Sequence, residues 1–339
     1  MPTNTAPTLA PHHPPAPEVP HMRRFWVLLS VCLTVAVMAI AGLLFVDIPG
    51  SVEFALSRRI PVVIAMILVA AAGAVSTVVF HTVTGNRILA PSIMGFESLF
   101  VLAQTALVFF AGAGGLAAIP QFSSQKFLTE TAIMVVFATV LFRWLFSGRR
   151  TNLHVLLLIG VVFGVLFQSL TVFMQRLLSP NEFDILQART IGGFTKVTPE
   201  LLPWAAVLLA VSIAVVWSRR HRLDVLGLGR ATAIGLGINH RREVTLMLVL
   251  ISVMVATSTA LVGPMTFFGF LVATLAYQAT GTTRHSRTLP MAFTLGLLAL
   301  TGGQFVLKNL APVGALSVLI EFIGGVVFLT VLFRKRTTA

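Results

Sequence analysis

Runs of about twenty apolar residues recur along the whole chain, and their length restricts the possible folds more than any other feature. The first, FWVLLSVCLTVAVMAIAGLLFV, fills 25–46 without a charged residue. A hydrocarbon layer about 30 Å thick is crossed by about 20 helical residues rising about 1.5 Å each, and lipid leaves no water to satisfy an irregular backbone. Ten such segments are expected, at 25–46, 60–82, 92–113, 127–147, 153–175, 201–217, 244–262, 267–280, 288–307 and 312–333. The eighth is short and directly follows GPMTFFG, so a broken helix or re-entrant piece is expected there. A chain of 339 residues with 56% hydrophobic and 10% charged residues lies far from the composition of soluble domains. The expected fold class is therefore all-α, a polytopic membrane bundle of about ten helices. Ala70-Ala71-Ala72-Gly73-Ala74 and Gly324-Gly325 supply the small side chains that let such helices approach closely.

Charge sets the orientation. The net charge of +13 is not gathered on one basic face of the kind nucleic acid requires. Arg23-Arg24, Arg149-Arg150, Arg219-Arg220, Arg241-Arg242, Arg284 with Arg287, and Arg334-Lys335-Arg336 all fall on one side when the spans are threaded in order. Asp47, Glu53, Glu130, Glu182, Asp184 and Glu200 collect on the other. The positive-inside rule then puts both termini in the cytoplasm of a cell membrane, with lipid rather than nucleic acid around the chain. The proline-rich start, 1–22, has little to bury and is expected to be a disordered cytoplasmic tail, leaving 23–339 as one transmembrane domain. Cys32, the single cysteine, lies inside the first apolar run and excludes a disulfide framework.

Enzymatic motifs are missing. There is no Gly-x-x-x-x-Gly-Lys-[Ser/Thr] phosphate loop, no His-Glu-x-x-His and no Gly-x-Ser-x-Gly elbow. The pairs Gly227-x-Gly229 and Gly235-x-Gly237 lack the strand that a dinucleotide fingerprint needs. No catalytic residue, resident metal or cofactor is expected. Two acids, Glu97 and Glu321, stand inside apolar segments, where an ionisable group is costly. They read either as an ion relay or pathway lining, or as carboxyls that are protonated, or paired and hydrogen-bonded at a helix–helix contact.

Between the sixth and seventh runs lies LGLGRATAIGLGINHRRE, 226–243, with four glycines and three arginines. In the stretch 223–296, Leu226, Leu228, Gly229, Ala233, Leu236, Gly237, Gly263, Pro264, Phe267, Gly269, Gly281, Leu289 and Pro290 follow a known order. GNRILAPSIMGFESL and SRRIP in the first half add to it. On these residues the chain resembles the permeases of iron-siderophore and vitamin B12 ABC importers, over about 25–336. With FMQRLLSPNEFDILQART it is most similar to the ferric petrobactin and anguibactin-type branch. Departures are Ala273-Thr274 in place of a proline-histidine pair, Val62 in place of an arginine, and Gln304 and Lys308 in place of an aspartate and an arginine.

The resemblance implies a permease bundle with ten spans and both ends inside, matching hydropathy and charge. It implies a ferric siderophore substrate, handed over by an extracytoplasmic binding protein. Energy would come from separate ATPase subunits that hold the ATP. It also implies a second permease, a paralogue rather than an identical copy. Since a siderophore saturates its iron, no protein metal ligands are expected.

The segment 219–243 would couple to the ATPase through Leu226, Leu228, Gly229, Ala233, Leu236, Gly237 and Arg241. Its residues 230–236 are expected to form a short helix bounded by glycines, with Ala231 and Ile234 on one face. Asn239 is expected to cap the next helix, and Glu243 to favour that helix's positive end. Asn86, Pro91, Gly95, Glu97, Gly263, Pro264, Phe267 and Gly269 would shape the pathway and an outer gate. Arg58, Arg59 and Lys308 would dock the binding protein. Two other readings stay open: an ABC permease for another small solute or a metal ion, and a secondary transporter using Glu97 and Glu321 for protons.

Overall fold

The computed structural model of the chain describes residues 19–48, 51–118, 127–129, 131–137, 140, 153–190, 193–194, 197–310 and 316–336. Most of the expected tail, and Glu130, Arg149 and Arg150, lie outside them. Helices follow in the order α1 (Val19–Phe45), α2 (Val52–Thr84), α3 (Phe96–Ala118), α4 (Leu153–Gln175), α5 (Pro180–Thr190) and α6 (Leu202–Ser218). Then come α7 (Arg220–Leu226), α8 (Arg230–Gly235), α9 (His240–Val262), α10 (Phe268–Thr280), α11 (His285–Leu310) and α12 (Leu316–Arg336). No strand occurs among the described residues. Among the described residues six helices are long and apolar enough to cross a bilayer, and four shorter apolar helices stand at the other expected positions, among them Phe268–Thr280.

Two boundaries differ from expectation. Residues 19–22 belong to α1 rather than to a tail, which carries that helix inward past Arg23 and Arg24. More consequentially, α2 starts at Val52 instead of 60, so SRRIP is helical and Pro61 lies within the helix. Proline and paired arginines usually mark a helix end, but here the helix runs through Pro61, which forgoes the hydrogen bond to the Ser57 carbonyl and crowds it, ten residues into a long rod.

That rod is the centre of the fold. In its apolar window 67% of residues are buried, against 11% for α1. It packs on α6, α9, α10 and α11. Small residues set the spacing. A Cβ on Gly73 of α2 would stand 2.7 Å from the Phe268 ring, and one on Gly296 of α11 would stand 3.3 Å from the same ring. Phe268 of α10 is thus wedged between two helices at glycine notches, the close approach that stabilises helices in lipid through dispersion.

Two of the expected spans are interrupted. The third consists of a 3₁₀ turn, Pro91–Met94, and α3, separated by Gly95 at φ 90°. The chain between α9 and α10 breaks at Gly263, φ 87°, before Pro264. Positive φ of this kind suits glycine alone among common residues, and each glycine lets the chain turn within a short distance.

Candidate functional site

The two interruptions meet. Ser92 donates its hydroxyl to the Thr266 carbonyl at 2.6 Å, and the Met265 amide donates to Glu97 Oε1 at 3.0 Å. The Thr266 hydroxyl donates to the other Glu97 oxygen at 2.5 Å. Glu97 is buried, and a buried carboxylate is tolerated only with such donors, each contributing about 1.5–3 kcal/mol. Of the two readings of Glu97, hydrogen bonding at a helix contact is therefore realised. The residue also lines a cavity.

Glycine makes this junction possible at two further points. A Cβ on Gly95 would press to 3.1 Å from the Gly164 backbone of α4. Gly160 and Gly164 form a Gly-x-x-x-Gly notch that receives Gly95. Gly269 lies against Thr77 of α2, where any Cβ would overlap the threonine hydroxyl. The contacts of Phe268 and Gly269 fall at Gly73 and Thr77, in the cytoplasmic half of α2. The junction therefore lies beside the interior of α2 and not at either of its ends. Gly73 is about 16 Å along α2 from its cytoplasmic end.

A cavity of about 710 Å³ opens beside the junction. Glu97, Ser92 and Ser98 line it from the first half of the chain, Pro264, Thr266 and Phe267 from the second, and Glu321 and Phe328 from α12. Thus Pro264, Phe267, Glu97 and Glu321 are brought together, as the pathway reading requires. Gly324 packs its backbone on Phe267, which fixes the α12 wall close to the loop. Helix α4 adds Gln168, Thr171 and Gln175, one face at helical spacing, to the wall. The sequence reading passed over this polar stripe, although its spacing was visible in SLTVFMQ and the residues before it. Asn86 does not belong to the junction. It follows the Gly85 cap of α2, where its Oδ1 accepts the Ile88 amide at 2.9 Å in a local turn.

At the other end of α2 the expected docking cations have internal roles. Arg59 Nη1 donates to the carbonyls of Leu43, Leu44 and Val46 at 3.1, 3.0 and 2.9 Å, and Nη2 donates to that of Asp47. Lys308 reaches the Val46 carbonyl at 3.1 Å. Together they cap the C-terminal end of α1, whose last carbonyls have no partner within the helix. Arg58 is exposed, with its guanidinium 5.3 Å from the centre of the Phe54 ring.

The cytoplasmic segment forms as its sequence suggested. Gly229 at φ 97° and Gly237 at φ 81° bound the short helix α8. Asn239 Oδ1 accepts the Arg242 amide at 3.2 Å and caps α9. These two glycines are required by their conformation and not by packing, because a Cβ on either would meet open space. Leu226 and Ala233 are buried beneath the segment, whereas Leu228, Ile234 and Leu236 are 63%, 52% and 61% exposed. Ala231 and Arg241 are also exposed.

Its polar ties escaped the sequence reading. Glu243 is more than a partner for a helix end: Arg219 Nη1 bonds both its oxygens at 3.0 and 2.8 Å, and Arg222 stands 3.5 Å away. Asp224 of α7 accepts the His285 amide at 2.8 Å and faces the ring Nδ1 at 2.6 Å. His285 Nε2 lies 2.8 Å from the Thr82 hydroxyl of α2. No spacing in one sequence announces a contact between residues 61 and 203 positions apart.

A buried central helix, interrupted spans meeting beside a cavity, and a structured segment tied to α2, α9 and α11 define a membrane transport subunit. The particular kind follows from comparison with known proteins: the chain belongs to the FecCD transport family, whose pattern matches residues 43–334. It is 38% identical to the petrobactin import system permease protein FatC of Bacillus anthracis over 320 residues, 93% of this chain and 90% of that one. It is also 38% identical to the petrobactin import system permease protein YclO of Bacillus subtilis, covering 91% of this chain and 97% of that one. In fold it is similar to a metal-chelate type ABC transporter in an inward-facing conformation, with a TM-score of 0.77 and 21% identity over 92% of this chain and 99% of the other.

Proposed function

We propose that the chain is the permease subunit of an ABC importer in the cell membrane, taking up a ferric siderophore of the petrobactin class. The observation that carries this reading is the 38% identity to two petrobactin import permeases across more than nine-tenths of the chain. A cavity lined by carboxylates, amides and hydroxyls supports it. A polar, iron-saturated chelate needs hydrogen-bonding groups along its path and no metal ligands from the protein.

In this reading the energy comes from separate ATPase subunits that bind ATP. Leu228, Ile234 and Leu236 present an apolar face beside the two glycine turns, suited to a groove on such a subunit. Residues 219–243 pass the ATPase movement to the membrane helices. A binding protein delivers the substrate outside, with Arg58 the most available of the three cations. A second permease, a paralogue, completes the pathway opposite α4 and α12.

The test is uptake of radioiron-labelled siderophores in cells lacking the chain and in cells with it restored. Ferric petrobactin uptake is expected to depend on the chain and on an intact ATPase. Uptake of every tested siderophore unchanged by its loss overturns the reading. Uptake that survives loss of the ATPase and collapses with the proton gradient selects proton-coupled transport through Glu97 and Glu321 instead.

A further inference from the structure

The cytoplasmic segment enters the membrane by two polar routes. Through Arg219, Arg222 and Glu243 it holds the start of α9. Through Asp224 it holds the start of α11 and, by way of the His285 ring, the last turn of α2. His285 is 3% exposed, so water does not compete for the ring. One Asp224 oxygen serves both the amide and the ring of His285, which caps α11 and fixes the ring orientation together. Gly227 at the end of α7 rests against α2, with its Cβ position 3.8 Å from the Thr82 methyl.

The two helices held by the second route are the same two whose glycine notches grip Phe268. Gly73 belongs to α2 and Gly296 to α11. Thr82 is about 13 Å along α2 from Gly73. A movement of α7 therefore reaches both walls of the Phe268 slot, next to the loop that Glu97 holds. The Thr82 hydroxyl is also 3.1 Å from the Val78 carbonyl, so its single proton can serve the helix or the neutral ring. That choice gives the link an engaged and a released setting.

We propose that Asp224, His285 and Thr82 form the clip through which residues 219–243 move α2 and α11 against Phe268, making all three positioning residues for transport. The proposal rests on the permease reading above. It concerns force transmission and not ATPase docking, which lies on the opposite, exposed side of the segment.

The experiment uses the complete importer, with its ATPase, second permease and binding protein, in proteoliposomes. Both ferric petrobactin accumulated and ATP hydrolysed are measured. With Thr82→Val, which is nearly isosteric, ATP hydrolysis stimulated by the loaded binding protein is expected to stay within about twofold. Substrate moved per ATP is expected to fall at least about fivefold, the lower end of ordinary coupling energies. Thr82→Ser is expected to restore the ratio, and His285→Gln to lower it with Thr82→Val in a non-additive way. Wild-type substrate per ATP in Thr82→Val overturns the clip, as does an equal loss in Thr82→Ser. A wild-type complex that moves no substrate on ATP refutes the permease reading itself, and that failure appears before any variant is made.

Discussion

The outer end of α2 and its cytoplasmic end both carry paired arginines nearby, and the two ends use them differently. Outside, Arg59 and Lys308 close the carbonyl end of α1, so the cations that looked free are engaged within the chain. Inside, Arg219 is engaged with Glu243, and beside the exposed Arg230, Arg241 and Arg242 the segment leaves three large apolar side chains uncovered, Leu228, Ile234 and Leu236, around its glycine-bounded turns. The difference teaches that a basic cluster reports which side of a membrane a segment occupies, but not which groups face a partner. Availability is better read from large apolar side chains left exposed on a structured element outside the lipid.

The sharpest test of this contrast is Leu228→Asp combined with Leu236→Asp. Transport is expected to fall more than about 100-fold, as for loss of central interface residues, with the ATPase no longer co-purifying and thermal unfolding in detergent unchanged. Normal co-purification would break the comparison at its inner end. Next in size, Arg59→Ala removes the guanidinium from the carbonyls of Leu43, Leu44 and Asp47, leaving only Lys308 on Val46, and should cost about 2–3 kcal/mol of stability, read from thermal unfolding. If instead only the affinity for the binding protein fell, Arg59 would be a docking residue after all.

Glu243→Gln comes third. Glu243 is buried but Arg219 is 34% exposed, so water takes over part of the lost pairing and the loss should be about 1–2 kcal/mol. Smallest is Arg58→Ala, which should leave stability unchanged. It should slow binding-protein association by about two- to fivefold at low salt, and less at physiological ionic strength where rim charges are screened.

Much of this architecture was legible because lipid imposes a single rule on the sequence. Apolar runs such as 25–46 and 244–262 had to be helices, and the turn at Gly263-Pro264 had to break one. The helix between Gly229 and Gly237 and the Asn239 cap were equally readable, since each depends on neighbours within a few residues. The first turns of α2 were not, because Pro61 and Arg58-Arg59 carry the marks of a boundary although the helix runs through them. The partners of Arg59, Glu97, Glu243 and His285 were hidden for another reason. Each lies on a different element, and only the packing of α1, α2, α3, α9 and α11 brings them into reach.

The 13 residues of α10 make it about 20 Å long, well short of an apolar layer of about 30 Å. Its buried side chains, Phe268, Phe270, Leu271, Val272, Ala273 and Ala276, have no seat until α2, α11 and α12 surround them. Since α11 and α12 follow α10 in the chain, the insertion machinery meets this helix before two of these partners exist. Hydropathy alone cannot hold so short a piece in the bilayer, so α10 must enter as a hairpin with α9 and wait for the C-terminal helices. Truncation after Gly281 would then strand it, and biogenesis of the whole protein would depend on a helix inserted out of step with its own synthesis.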